Sequence, residues 1–266
     1  MSGRSVPAVV DLHCHLIPGI DDGPAALDGS VELAAALAAD GVRTVAATPH
    51  VRADHPDVVP AELGERREVL RRAIAAAGID LEVVGGGELD LGRGLEASDE
   101  ELRLVSLGQV GRYLLVETPY SPLSSLFEHQ LFELEVRGYG LLLAHPERNP
   151  SFQADPERVA ELAARGILLQ ITAASLVRRR RRSPTTRLAR ALVERGLAHA
   201  LASDAHGAAV ERAPISAGLQ VARELAGVRA DSMVTDAPAA ILAGDRPVLP
   251  PAAPGRRGGR RRRRFA

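Results

Sequence analysis

Short apolar runs alternate with longer amphipathic stretches along almost the whole chain. The runs at 6–15, 42–48, 81–88, 113–117, 139–145, 167–171 and 197–204 read as strands, each mostly apolar and of strand length. Between them, helical spacing covers 26–40, 60–77, 122–137, 154–165 and 184–195, with a longer helical region at 207–226. Gly41, Gly78, Gly138, Gly166 and Gly196 each follow a helical stretch and precede an apolar run. Glycine tolerates the left-handed backbone that closes a helix, so these positions read as helix ends. Ser183-Pro184 supplies a cap and a first-turn proline. Strands alternating with helices predict parallel βαβ units, hence an α/β fold. Seven short strands suggest a barrel or barrel-like closed sheet, with an open doubly wound sheet as the alternative that periodicity leaves open. No glycine-rich phosphate loop opens the first helix, which argues against a dinucleotide site.

Composition bounds this picture. At 266 residues the chain fits one large domain, placed at 8–248 after a lead-in at 1–7. A Pro/Gly/Arg-rich tail at 249–266 reads as disordered. No apolar run is long enough to cross a bilayer and the start lacks a signal-peptide pattern, so a cytoplasmic protein is expected. The single cysteine, Cys14, allows no internal disulfide and fits a reducing compartment. All 33 basic residues are arginine. The net charge is −1, but seven arginines sit between Arg256 and Arg264, leaving −8 on the rest. An acidic body argues against a general nucleic-acid binder.

The candidate chemistry lies at the strand ends. The first run closes with Asp11-Leu12-His13-Cys14-His15, where strand alternation projects Asp11, His13 and His15 to one face and Leu12 and Cys14 to the other. Asp21 and Asp22 follow on a loop bounded by glycine and proline that can fold back over the two imidazoles. Later runs end at His50, Glu88, Glu117, His145 and Asp204-Ala205-His206; only the sixth, Gln170-Ile171-Thr172, ends without His, Asp or Glu. In parallel α/β folds these carboxyl ends gather on one face, where active sites sit. Each residue alone is ordinary: His50 as a loop histidine, Glu88 or Glu117 as a solvated carboxylate, Asp204 as a helix cap. Together they would bury many charges in one cluster, which is costly unless cations compensate. Mixed imidazole and carboxylate ligands suit Mn, Fe or Zn better than Ca, Mg or a thiolate-type site. Nine candidates exceed the needs of one ion, so a multinuclear site is expected. His55, His129 and His199 fall in a loop, a helix and a strand and read as structural.

Arg148 follows His145 by three residues, and Arg212 follows the Asp204/His206 pair by one loop. A guanidinium beside clustered metals suits a phosphate group, against the plain alternative of surface salt bridging. The run Arg178 to Arg182 follows the sixth strand and would steer acidic substrates, unless it is simply a solvated charge run. Cys14 lacks the arginine six positions on that a cysteine phosphatase needs, since that position is Ile20, and it reads as packing.

As a set, Asp11-x-His13-x-His15, Asp21-Asp22-Gly23-Pro24, Thr48-Pro49-His50, Glu88, Glu117, Ala144-His145-Pro146-Glu147-Arg148 and Ser203-Asp204-Ala205-His206 resemble the polymerase and histidinol phosphatase (PHP) superfamily. Within it, Asp21-Asp22-Gly23-Pro24 resembles the manganese-dependent tyrosine-protein phosphatases of bacterial capsule and exopolysaccharide operons, over roughly residues 8 to 242. The resemblance implies a distorted (β/α)7 barrel with a metal cluster at its mouth. It implies His13, His15, Asp22, His50, Glu88, Glu117, His145, Asp204 and His206 as metal ligands, and Arg148 and Arg212 as phosphate-holding arginines. Manganese is the implied metal, in a cluster of roughly three ions, with Fe or Zn as alternatives. The implied substrate and partner is a phosphotyrosine protein, a bacterial tyrosine kinase, dephosphorylated by a metal-activated water without a covalent phosphoenzyme. Two loops depart from the family pattern, Val51-Arg52-Ala53-Asp54-His55 and Thr172-Ala173-Ala174-Ser175, and both bear on the substrate more than on the chemistry. The rival readings are a small-molecule phosphatase for histidinol phosphate or a sugar phosphate, and a catalytically silent metal-binding regulatory partner.

Overall fold

The computed structural model describes residues 8–177, 183–207 and 214–251. Within them lie nine strands, separated by helices except after Val42–Ala47 and after Glu82–Gly85, and every strand pairing is parallel. Strand β1 (Val9–Cys14) pairs with β2 (Val42–Ala47), and β2 with β4 (Glu82–Gly85), forming a three-stranded sheet. The second sheet runs β3 (His50–Val51), β5 (Glu88–Leu89), β6 (Tyr113–Glu117), β7 (Gly140–Ala144), β8 (Leu168–Thr172) and β9 (Ala200–Ala202). The expected runs at 42–48 and 81–88 are thus each broken in two. Pro49, which has no N–H to give a ladder, separates β2 from β3. Gly86 and Gly87 separate β4 from β5, and a Cβ there would press on Thr48 and Val51. The chain passes from one sheet to the other at both breaks. On the far side, His15 N–H donates to Ala205 O (2.9 Å) and Asp204 N–H to His13 O (2.8 Å), tying the end of β1 to the segment after β9.

The apolar patterning explains the layers. Val10, Leu12, Ala46, Leu115, Leu142, Ala144, Leu168 and Ala200 form one buried cluster contributed by strands. The opposite strand faces, with Val45, Leu114, Val116, Leu143 and Leu169, pack against the helices in a larger cluster. The helices bury one stripe each, as at Leu188, Ala189, Leu192 and Val193 on α9 (Pro184–Glu194), where Ser183 caps Thr186 N–H as the sequence predicted. At Gly41 and Gly166 the backbone turns to φ 97° and 107° directly after α1 (Leu27–Ala39) and α7 (Pro156–Ala164), as expected for helix ends.

Other boundaries moved. The stretch 60–77 begins as a 3-10 turn and becomes helical as α2 (Leu63–Ala76). The stretch 122–137 is helical only over α5 (Phe127–Val136), and 207–226 only over α10 (Ile215–Ala226) among the described residues. Six short helices were not anticipated: α3 (Leu91–Glu96), α4 (Asp99–Val105), α6 (Pro150–Ala154), α8 (Ala173–Val177), α11 (Arg229–Ser232) and α12 (Asp236–Ala243). Four to eight residues carry too few turns for a 3.6-residue period to register. Among the described residues no helix is long and apolar enough to cross a membrane. The Arg178–Arg182 run, Arg212 and the arginines of the tail lie outside the described residues.

Candidate metal centre

The strand ends bring eight of the nine ligand candidates onto one buried face, and the loop after β1 adds Asp22. Four overlapping groups each hold ligand atoms within 4.8 Å of one another: His15, Asp22, His50 and His206; His13, His15 and Glu88; His13, His145 and Asp204; and His50, Glu88 and Glu117. Glu88 is the hub. Its Oε1 lies 2.8 Å from His145 Nε2, and its Oε2 lies 3.2, 3.4 and 3.0 Å from His13 Nε2, His15 Nε2 and His50 Nδ1. Asp22 is half exposed and reaches His206 Nε2 at 3.3 Å and His50 Nε2 at 3.6 Å. His145 (φ 36°) and Asp204 (φ 53°) adopt left-handed backbone, a strained conformation for non-glycine residues that re-aims both side chains at the strand ends.

The expected alternation on β1 fails at one point. Asp11 pairs with Val45 and Cys14 with Ala47, so three steps on β1 match two on β2. This bulge puts Leu12 in the strand-lined cluster and Cys14 in the helix-facing one, with His13 and His15 in the site between. Asp11 does not join them. Its Oδ1 accepts from the N–H groups of His13 (3.2 Å) and Ser203 (3.1 Å), bracing β1 against the segment after β9.

Three imidazoles are oriented by partners on Nδ1, leaving Nε2 for the cluster. His13 Nδ1 lies 3.0 Å from Gln170 Oε1, His15 Nδ1 2.8 Å from Asp21 Oδ2, and His206 Nδ1 3.0 Å from Asp204 O. The field is strongly negative. Burial alone would lower the His13 pKa, yet Glu88 and Asp204 push it up to about 9; His15 is driven to about 10 by Asp21 and Glu88 against the same burial. Burial opposes charge on Glu88 too, but His13, His145 and His15 hold it well below the usual carboxylate value. Whatever positive charge the cluster takes, proton or metal ion, meets this field.

Arg148 borders the cluster. Its Nη2 lies 2.8 Å from Asp204 Oδ2, its Nη1 donates to Tyr120 Oη at 2.7 Å, and its buried Nε has no hydrogen-bond partner among the described residues. Cys14 is fully buried with Sγ 3.5 Å from Ala205 O, and burial raises its thiol pKa well above normal, so the packing role expected for it holds.

A family model for capsular polysaccharide synthesis, CpsB/CapC, matches residues 9–243. The chain belongs to the CpsB/CapC family. Tyrosine-protein phosphatase YwqE of Bacillus subtilis is 30% identical over 231 residues, spanning 86% of this chain and 89% of its own. Tyrosine-protein phosphatase CpsB of Streptococcus pneumoniae is 26% identical over 202 residues, 74% of this chain and 83% of its own. A solved structure from the work on YwqE and CpsB, described as unique metal-dependent tyrosine phosphatases, superposes with a TM-score of 0.80 at 29% identity. It covers 93% of this chain and is itself covered completely.

Several residues around the site of this CpsB/CapC chain escaped the sequence reading. Gln170, at the one strand end set aside as carrying no ligand, orients His13 and also accepts from His145 N–H at 3.2 Å. Asp21, left beside Asp22 as a second carboxylate, orients His15 and accepts from His50 N–H. Arg52 binds Glu117 Oε1 at 2.7 Å and grips Asp54 through two further nitrogens. His55, taken as structural, stacks on His50 with ring centroids 5.2 Å apart. His129 pairs with Glu133 on the surface and His199 accepts from Leu169 N–H, so both are structural as expected. Position at a strand end was the signal for Gln170; residue type alone hid it.

Proposed function

We propose that this chain is a metal-dependent tyrosine-protein phosphatase serving capsular or exopolysaccharide synthesis, with Glu88 at the centre of its metal site and Arg148 as its phosphate-holding arginine. The observation that carries this is the Glu88 carboxylate reaching four imidazoles at 3.4 Å or less, with a guanidinium at the rim. Divalent ions fit these residues. Glu88 Oε2 and His50 Nδ1 lie 3.0 Å apart, buried, and neither makes a hydrogen bond among the described residues. A shared cation would satisfy both, and mixed nitrogen and oxygen donors suit manganese, with iron or zinc as alternatives. The overlapping groups support His13, His15, Asp22, His50, Glu88, Glu117, His145, Asp204 and His206 as the ligands of several ions.

Bound there, divalent ions supply Lewis acidity toward phosphoryl oxygens and acidify a bound water. The protein's own residues do the rest. Gln170, Asp21 and the Asp204 carbonyl hold three imidazoles with Nε2 facing the cluster. Arg148 keeps its charge because Asp204 and Tyr120 outweigh its burial, and its fixed guanidinium can grip the phosphoryl group as charge builds. Cys14 is too buried to attack, so no phosphocysteine forms. Arg212 would join Arg148 on the phosphate.

The ties from β1 to the segment after β9, and the strands shared through β2–β3 and β4–β5, support a single distorted (β/α)7 barrel over residues 8–248. The single cysteine supports a cytoplasmic setting, where a bacterial tyrosine kinase would be the phosphotyrosine partner. The test is phosphate release from a phosphotyrosine peptide by purified protein, with added manganese and with chelator. Chelator-sensitive release is expected. No release, with histidinol phosphate hydrolysed by the same sample, would move the assignment to small-molecule metabolism.

A further inference from the structure

The rim of the site carries an aromatic ring that the ligand set does not use. Tyr120, on the loop after β6, is 57% exposed in a chain with only three tyrosines, four phenylalanines and no tryptophan. Exposure alone would mean little. This ring, however, is held from three sides. It stacks on the ligand candidate His145, centroids 5.6 Å apart and planes 22° from parallel. Its hydroxyl accepts from Arg148 Nη1. Its backbone neighbours are pinned by one side chain, because Asn149 Nδ2 donates to Pro119 O (2.7 Å) and Ser121 O (3.0 Å). Asn149 is itself fixed as the cap of α6.

Beside the ring lies a cavity of about 220 Å³ lined by Arg52, Asp90, Glu117, Pro119, Tyr120 and Ser121. It therefore opens directly from the metal centre at Glu117 and borders the phosphate arginine through Tyr120. A cavity of about 150 Å³ is enough for a benzene ring. A second cavity of about 280 Å³ continues past Asp90, Pro119 and Ser121 along Leu91 and Phe127. We propose that the first cavity is the subsite for the aromatic ring of an aryl phosphate monoester, with Tyr120 as the wall that sets the preference for aryl over alkyl esters. This rests on the phosphatase reading. A phosphoryl group gripped by Arg148 would lie beside Tyr120, whose hydroxyl Arg148 holds and whose ring lines this cavity. A flat ring can stack there against a face already fixed in place, whereas the alkyl chain of a phosphoserine offers no face to stack. The second cavity takes the peptide flanking the phosphotyrosine.

The experiment uses the full chain loaded with manganese, as wild type, Tyr120→Leu and Tyr120→Phe. Two ratios are read: the affinity for phenylphosphonate over methylphosphonate by calorimetry, and kcat/KM for a phosphotyrosine peptide over its phosphoserine counterpart. The Leu variant is expected to lose roughly 3- to 10-fold of both aryl preferences, while the Phe variant, which keeps the ring, retains them. Unchanged ratios in Tyr120→Leu, or a wild type that binds both phosphonates equally, would overturn the proposal. Selective phenylphosphonate binding that depends on Tyr120, in a protein that hydrolyses no monoester, would uphold the subsite and overturn the phosphatase reading instead.

Discussion

Replacing Gln170 by leucine tests how the centre is held without touching a ligand. Gln170 Oε1 is 3.0 Å from His13 Nδ1 and 3.2 Å from His145 N, and the side chain is fully buried. Leucine has similar volume but leaves both donors unpaired, each at a cost of about 1–3 kcal/mol. Against that, Gln170 Nε2 is itself buried without a partner among the described residues, and its removal returns one such cost. The net loss of stability is therefore about 1–3 kcal/mol, small enough for the protein to fold. The effect on metal is larger than that arithmetic suggests. Without the acceptor, the His13 ring is no longer held with Nε2 facing Glu88 and Asp204. Loss of an outer partner of this kind weakens metal binding by about 10- to 100-fold, or about 1.4–2.7 kcal/mol. The assay is calorimetric titration of manganese into metal-free protein, with Gln170→Glu as the variant that keeps an acceptor and should bind within a few-fold of wild type. A Leu variant that binds manganese as tightly as wild type would refute the reasoning.

Two further outcomes follow from residues outside the ligand set. Cys14→Ser should keep kcat/KM within about threefold, since a hydroxyl can serve the same Ala205 carbonyl at a cost of about 1–2 kcal/mol in stability; near-complete loss of turnover would contradict the hydrolytic mechanism. His199 accepts from Leu169 N–H and its pKa is lowered by burial, with Arg229 adding to it, to about 4 from 6.5. A depressed histidine contributes stability that is full above pH 6.5 and lost as pH falls toward 4, so between pH 7 and 5 wild type should lose about 2 kcal/mol more than His199→Gln, measured by denaturant unfolding.

The strand-end logic was legible because it depends on local pattern: an apolar run, a polar end, a glycine-closed helix before it. It placed His50, Glu88, Glu117, His145, Asp204 and His206 correctly on one face. What it missed depends on partners distant in sequence. The bulge between Asp11 and Cys14 exists only against Val45 and Ala47, so alternation within β1 wrongly put Leu12 and Cys14 on one face. Gln170 acquires its role from His13, 157 residues away. The division of labour between Asp21 and Asp22 is set by how their loop folds onto His15 and His50. One miss was avoidable: Ser98 and Glu101 form a capping box at the start of α4, a signal that short helices carry even when their period does not.

If the Glu88 cluster holds the ions that hydrolysis needs, metal must be found there in the active protein. Crystals grown with manganese, and data collected on both sides of its absorption edge, test it most directly. Anomalous peaks are expected among His13, His15, Asp22, His50, Glu88, Glu117, His145, Asp204 and His206, more than one of them within ligand distance of Glu88 or its imidazole neighbours. Manganese-dependent turnover in the same preparation, with no anomalous density inside that cluster, would contradict it.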